Sequence, residues 1–293
     1  MKWKRIKPYG YLLPSFLIIS LFQVYPLIKV FTMAFYTKFN YIKDEVYEVG
    51  FDNFKTVLTD EGFYKAIYNT FKFVLMSVPL SIIISLLIAV LLNKKIRFKK
   101  LFTSIYFIPF VTSTVAMATI WKWIFHSEFG LLNLLLNKIG LHGNEFLTDS
   151  NWTMPMLVLI SLWKGLGYKI IIFLAGLQNI DEKYYLAAKI DGASKRKSFF
   201  HITLPLLMPS IFFVSITTTI GCFKIFDEIF ILYNKGAGPL DSGLTIVYYV
   251  FDKFYMRWQF ATASAAAFIL FIIIAVFTYL QFKVIRRFKY YEE

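Results

Sequence analysis

The chain has 293 residues, 58% of them apolar and only 17% charged, with a mean hydropathy of +0.58. This excludes an ordinary water-soluble α/β domain and makes a bilayer the expected solvent. The net charge of +14 falls on residues between long apolar segments rather than on one face of a soluble fold, so it argues for membrane topology and against nucleic acid. A single cysteine, Cys222, excludes an intrachain disulfide and a Cys-rich metal cluster, and reads as a small core residue.

In chain order, Lys2, Lys4, Arg5 and Lys7 precede an apolar run over 11–35. The start looks like the first region of a signal peptide. No small-residue cleavage site follows, however, and the run is long enough to cross roughly 30 Å of hydrocarbon, so an uncleaved first span is expected. Trp3, Tyr9 and Tyr11 suit anchors at the inner interface. Five more runs of spanning length follow at about 69–92, 101–125, 152–177, 205–232 and 261–284. The expectation is an all-α membrane protein of six transmembrane helices in a single domain over 1–293.

Six spans place both termini in one compartment with the connections 93–100 and 178–204, each of which holds five Lys or Arg residues. The loop over 36–68 is acidic instead, with Asp44, Glu45, Glu48, Asp52, Asp60 and Glu61. Basic segments stay inside, so a multi-pass membrane protein with both termini in the cytoplasm is expected.

The cytoplasmic connection 178–204 carries the strongest signal. Asp181 can cap a short helix, Glu182 favours its positive end, and Gly192 can leave it with positive φ; Ser194 can cap a second helix. Tyr184, Ala187, Ala188 and Asp191 repeat at i, i+3, i+4 and i+7, setting an aromatic ring beside two small residues on a face another protein can approach. A surface helix that merely closes a turn would show the same caps.

Leu186-Ala187-Ala188, then Gly192 and Pro205, resemble the cytoplasmic hallmark loop of the membrane subunits of binding-protein-dependent ABC importers, where Glu-Ala-Ala is followed after three residues by Gly and later by Pro. Leu186 stands where that family usually has Glu. The sugar-permease branch is indicated by several further segments in its order: Gly50 to Phe54, Asn69-Thr70, Phe107 to Pro109, Leu162 to Gly167, Leu174 to Gln178, Asp191 to Ala193 and Gly236 to Pro239. The resemblance implies a type I ABC importer permease fold and a coupling helix over 181–193, with Tyr184, Leu186, Ala187, Ala188, Asp191, Gly192, Ala193 and Pro205 as its residues. It also implies a second permease subunit that is a different chain, an ABC ATPase dimer that binds ATP and Mg, and an extracellular solute-binding protein. No cofactor is expected on this chain.

Inside the expected spans, Lys164, Lys169, Lys224, Asp227 and Glu228 are costly in hydrocarbon and should face a water-filled path or pair with one another. Lys224 can reach Asp227 at i+3 or Glu228 at i+4, an ion pair that would simply hold one helix. Lys164 and Lys169 are five residues apart and point to different helix faces, so one is expected to snorkel. Trp163 beside Lys164 offers an apolar face and an N–H donor that suit a sugar ring. Trp163, Lys164, Lys224, Asp227 and Glu228 are thus the candidate solute-path residues. Gly236-Ala-Gly-Pro239 lacks the Gly-Lys-Ser/Thr of a phosphate loop and reads as a turn, and His126, His142 and His201 have no metal-ligand spacing. No catalytic residue is expected. The alternatives are a secondary transporter driven by an ion gradient through Lys224, Asp227 and Glu228, and a membrane-embedded enzyme, for which no motif speaks.

Overall fold

The computed structural model of the protein describes residues 2–40, 43, 45–94 and 97–288, and the side chains of these except at 2–10, 99–100 and 286–288. The expected anchors Trp3 and Tyr9 therefore fall outside the described side chains, and Tyr11 is exposed.

In chain order, α1 (Lys2–Ile19) continues through a π-helical turn, Ser20–Val24, into α2 (Tyr25–Met33). The hairpin β1 (Tyr36–Asn40) and β2 (Glu45–Val49) follows, then α3 (Asp52–Thr59) and α4 (Glu61–Leu92). The middle of the chain contains α5 (Lys99–Val111), α6 (Thr114–Ile124), α7 (Leu131–Lys138) and α8 (Ser150–Gln178). After it come α9 (Glu182–Ile190), α10 (Lys195–Ser198), α11 (Leu204–Leu206), α12 (Met208–Phe223), α13 (Asp227–Leu232), α14 (Ile246–Phe251) and α15 (Phe260–Phe288).

Among the described residues, four stretches are helical, long and apolar enough to cross a bilayer: Tyr11–Met33, Glu61–Leu92, Ser150–Gln178 and Phe260–Ile285. Two bent pairs raise the number to six if each crosses once, Leu101–Val111 with Thr114–Ile124 at 99° and Lys195–Leu206 with Met208–Phe223 at 63°. The first bend falls where Thr112 and Ser113 leave helical ψ for extended values. The second falls just before Pro209, which has no N–H to give the carbonyl of residue 205. The apolar run 205–232 is accordingly not one helix. It stops at Phe223 and restarts at Asp227, with Phe226 far from helical geometry at φ −152°.

The chain forms two compact units, Met1–Tyr64 with Tyr249–Ile273, and Lys65–Tyr248 with Ile274–Glu293. In the first, β1 pairs antiparallel with β2, and Lys38 and Glu48 form an ion pair at 2.7 Å across the strands. This hairpin lies in the acidic connection that the sequence reading left without secondary structure. Phe35 packs against Phe51, Phe54 and Phe268, and Asn53 Nδ2 donates to the carbonyls of Ala34 and Tyr36 at 3.1 and 3.0 Å. Asp60 is a hub, accepting from Tyr249 Oη, Lys253 Nζ and the Gly62 N–H, each at 2.8 Å. Burial pushes the Asp60 carboxyl up, but those three donors and the Lys253 charge outweigh it and hold the carboxyl below its ordinary value.

The second unit shows the inside-out pattern of a lipid-facing bundle. On α4 the serines at 77, 81 and 85 are buried while Leu75, Ile83, Leu87 and Leu91 are exposed. In water that arrangement would be reversed. Small residues let the helices approach: a Cβ on Gly167 of α8 would lie 2.7 Å from the Phe107 Cα of α5 and closer still to the Tyr106 carbonyl oxygen. The Leu162 to Gly167 and Phe107 to Pro109 segments thus meet at one helix crossing. Similarly, Asn69 Nδ2 of α4 donates to the carbonyls of Asp241 and Leu244, both at 3.0 Å, and Thr70 Oγ1 accepts from the Ile246 N–H at 2.9 Å. Asn69-Thr70 therefore holds the turn that follows Gly236 to Pro239, where Gly238 has φ +80°.

Candidate functional site

Two places in the second unit gather the residues singled out from the sequence. The first is the loop around α9. Asp181 accepts from the Lys183 N–H at 2.9 Å as the N-cap, and its carboxyl also pairs with Lys183 Nζ at 2.8 Å. These hydrogen bonds and the Lys183 charge lower the Asp181 carboxyl below its ordinary value. At the other end Gly192 has φ +73°, its N–H reaches the Lys189 carbonyl at 3.2 Å, and the Ala193 N–H reaches the Ala188 carbonyl at 2.8 Å. That double bond pattern is a Schellman end, and it satisfies carbonyls that would otherwise be orphaned. Ser194 Oγ accepts from the Lys197 N–H at 3.3 Å and starts α10.

The face presented outward differs from the spacing argument. Ala188 is buried, and the inward anchor is Tyr185, whose hydroxyl meets Thr203 Oγ1 at 2.9 Å. Tyr184, Leu186, Ala187 and Asp191 are exposed, and so is Ile190, at 86%. Leu186 and Ile190, one turn apart, therefore make the outward face apolar. Pro205 lies on the next segment and is exposed. Ala193 is half-buried beside Gly192. Ile190, which no motif marked, was recoverable only from knowing which side Tyr185 anchors.

The second place is a cavity of about 260 Å³ lined by Phe73 of α4, Ser161 of α8 and the 221–228 stretch, including Lys224, Asp227 and Glu228. The charged trio does not form the intrahelical pair that its spacing allowed. Lys224 is the C-cap of α12, where a cation complements the negative helix end, and Asp227 and Glu228 open α13, where acids complement the positive end. Charges that would stitch a continuous helix instead flank its break. Glu228 pairs with Lys164 of α8 at 3.6 Å, and Lys164 Nζ also donates to Thr114 Oγ1 at the start of α6. Lys169 does not snorkel; it is buried, and Nζ donates to Ser81 Oγ at 3.2 Å. Trp163 stacks edge-to-face on Trp121, with centroids 5.7 Å apart, and is not part of the cavity wall. Phe73, Ser161, Gly221 and Phe226 are wall residues that the sequence reading passed over, since none carries charge, and Cys222, read as a small core residue, is buried and also lines the wall.

A broken helix with polar groups around a cavity is how membrane transporters expose backbone and charge to a solute. The comparisons with known proteins give this geometry its family. Residues 61–290 match the model of the binding-protein-dependent transport system inner membrane component. The chain belongs to this family. It is 35% identical to the arabinooligosaccharides transport system permease protein of Bacillus subtilis (strain 168), over 98% of this chain and 90% of the relative. It is 34% identical to the lactose transport system permease protein of Rhizobium radiobacter, over 92% and 90%. Among solved structures, one chain from a bacterial ABC transporter that imports the acidic polysaccharide alginate superposes with a TM-score of 0.85 at 26% identity, covering 97% of this chain and 98% of that one. The protein is thus a helical ABC importer permease, a transport subunit of the membrane, and the family favours this over the ion-gradient alternative.

Proposed function

We propose that this subunit carries a sugar or sugar-like solute across the cytoplasmic membrane through the cavity at the α12–α13 break, driven by an ABC ATPase that docks on α9. The observation that carries the coupling role is the α9 loop: a helix capped at both ends, tied to the next segment by Tyr185 and Thr203, with an apolar outward face that no described residue covers. A rigid, anchored helix transmits a push; a frayed one would absorb it. The named solutes of the relatives, arabinooligosaccharides and lactose, support the sugar class.

In this reading both termini are cytoplasmic, the second permease subunit is a different chain, and an extracellular binding protein delivers the solute. A solved relative of the same fold is described in complex with an alginate pentasaccharide-bound periplasmic protein. ATP and Mg are held by the ATPase dimer, whose closure moves the docking groove and rocks the membrane halves between inward-facing and outward-facing states. Lys224, Asp227 and Glu228 line the route, Lys164 fixes Glu228, and Trp163, next to Lys164 on α8, packs against Trp121 of α6.

Gly192→Pro tests the coupling. Proline cannot adopt φ +73° and cannot supply the N–H that Lys189 receives, so the Schellman end is lost. Membrane insertion should be retained while ATP-dependent uptake by the assembled importer disappears. Uptake at the normal rate in that variant would remove α9 from the mechanism.

A further inference from the structure

We propose that the cavity continues inward as a buried polar seam ending in an anion-accepting subsite, with Lys169 as its positive group, and that the importer therefore selects sugars bearing a carboxylate. This rests on the import reading above. On α4, Phe73, Ser77, Ser81 and Ser85 recur every four residues along one face, and on α8 so do Ser161, Gly165 and Lys169. Phe73 and Ser161 belong to the cavity wall, and the later members of the two series follow at successive turns further along. Ser77, Ser81, Ser85 and Lys169 are all buried. Two polar strips therefore run side by side away from the cavity, where the surrounding helix faces are apolar.

Lys169 folds back along α8 over Gly165: a Cβ at that glycine would lie 2.6 Å from the ammonium nitrogen. Gly165 is what makes room for the charge. The ammonium group donates to Ser81 Oγ at 3.2 Å and has no carboxylate within ion-pair distance among the described residues, although only 7% of the residue is exposed. The fully buried Ser77 hydroxyl has no partner at hydrogen-bond distance and lies beside the Cys222 thiol of the cavity wall. A neighbouring hydroxyl compensates a buried cation poorly, and a carboxylate compensates it well. Of the charged wall residues, Glu228 is neutralised from outside the wall by Lys164, and Lys224 and Asp227 are opposite in sign. Lys169 is then the uncompensated positive charge. A solute carboxylate brought against Nζ, with the Ser77 and Ser81 hydroxyls as flanking donors, satisfies all three groups at once.

The test uses the complete importer in proteoliposomes, with its ATPase and binding protein, and measures ATP-dependent uptake of disaccharides of galacturonate, glucuronate and mannuronate beside neutral disaccharides of galactose, glucose, mannose and arabinose. Affinities of the isolated binding protein for each sugar are measured separately, so that uptake is expressed per loaded binding protein. The wild type should take up at least one acidic disaccharide. Lys169→Met should lower that uptake roughly ten- to hundredfold, as loss of a charge-assisted contact does, while Lys169→Arg retains most of it. Amounts of each variant in the membrane and basal ATPase activity report whether the assembly has formed. Uptake confined to neutral sugars, equal loss for acidic and neutral sugars in Lys169→Met, or no loss at all would each overturn the subsite. No ATP-dependent uptake of any sugar by the assembled wild type would instead sink the import reading itself.

Discussion

Gly167→Ala should weaken the protein through one helix crossing. The added methyl carbon would sit 2.7 Å from the Phe107 Cα, against an optimal carbon separation of about 3.5–4.0 Å, so the backbones of α5 and α8 must part by about 1 Å. Backbone cannot rotate away as a side chain can, which places the clash near the upper end of the overpacking range, about 3 kcal/mol. Alanine returns about 1 kcal/mol of helix propensity, leaving a net loss of about 2 kcal/mol. Two other helical glycines calibrate the reasoning. At Gly176 the nearest atoms are Ser210 Oγ at 2.5 Å and Leu207 Cδ1 at 2.6 Å, both of them movable, so the loss there should be smaller. Gly221 has nothing within 4 Å, so Gly221→Ala should be neutral or slightly stabilising. The assay is thermal unfolding of the detergent-solubilised subunit, where about 2 kcal/mol lowers the apparent midpoint by roughly 4–8 °C. A Gly167→Ala midpoint equal to wild type, or a Gly221→Ala midpoint as low as it, would refute this account of the crossing.

Other predictions follow from the same contacts. Asn69→Ala removes both donors to the Asp241 and Leu244 carbonyls and should cost about 1–3 kcal/mol, read as greater protease nicking within 236–245. Because the folded-state Asp60 carboxyl is held below its ordinary value, its contribution to stability is complete above that value, near pH 4, and is lost as the pH falls through the lower folded value. Asp60→Asn should flatten that acid-side loss in a stability titration between about pH 5 and 2; an unchanged slope would count against the Tyr249 and Lys253 contacts. Lys164→Met leaves the half-buried Glu228 without its partner and should destabilise by about 1–3 kcal/mol, whereas Lys164→Met with Glu228→Gln should recover part of it, a difference that a double-mutant cycle measures.

Much of this was legible in the sequence because it depends on local chemistry. Asp181, Gly192 and Ser194 announce the ends of two short helices, and side-chain oxygens and a residue able to take positive φ act over only a few positions. Span-length apolar runs were equally visible. What the sequence hid depends on neighbours distant in the chain. Lys224 and Asp227 have the spacing of a helical ion pair, and only the fold shows that the helix stops between them and that Glu228 meets Lys164 of α8. Tyr184 and Tyr185 look alike in sequence, yet Thr203 singles out Tyr185 and so turns Ala188 inward and Ile190 outward. On α4 the inward serines oppose the usual apolar-core pattern, which lipid inverts.

The central claim is that α9 delivers the ATPase's motion to this subunit, and cysteine crosslinking tests it most directly. Ile190→Cys places a thiol at the most exposed large apolar residue of α9, while the native Cys222 stays buried. A short bifunctional thiol reagent applied to native membranes, followed by mass spectrometry of the adducts, should join Ile190→Cys to an ABC ATPase, with the yield changing when ATP is added. Membranes that show ATP-driven uptake through this subunit yet give no ATPase adduct at position 190 would contradict it.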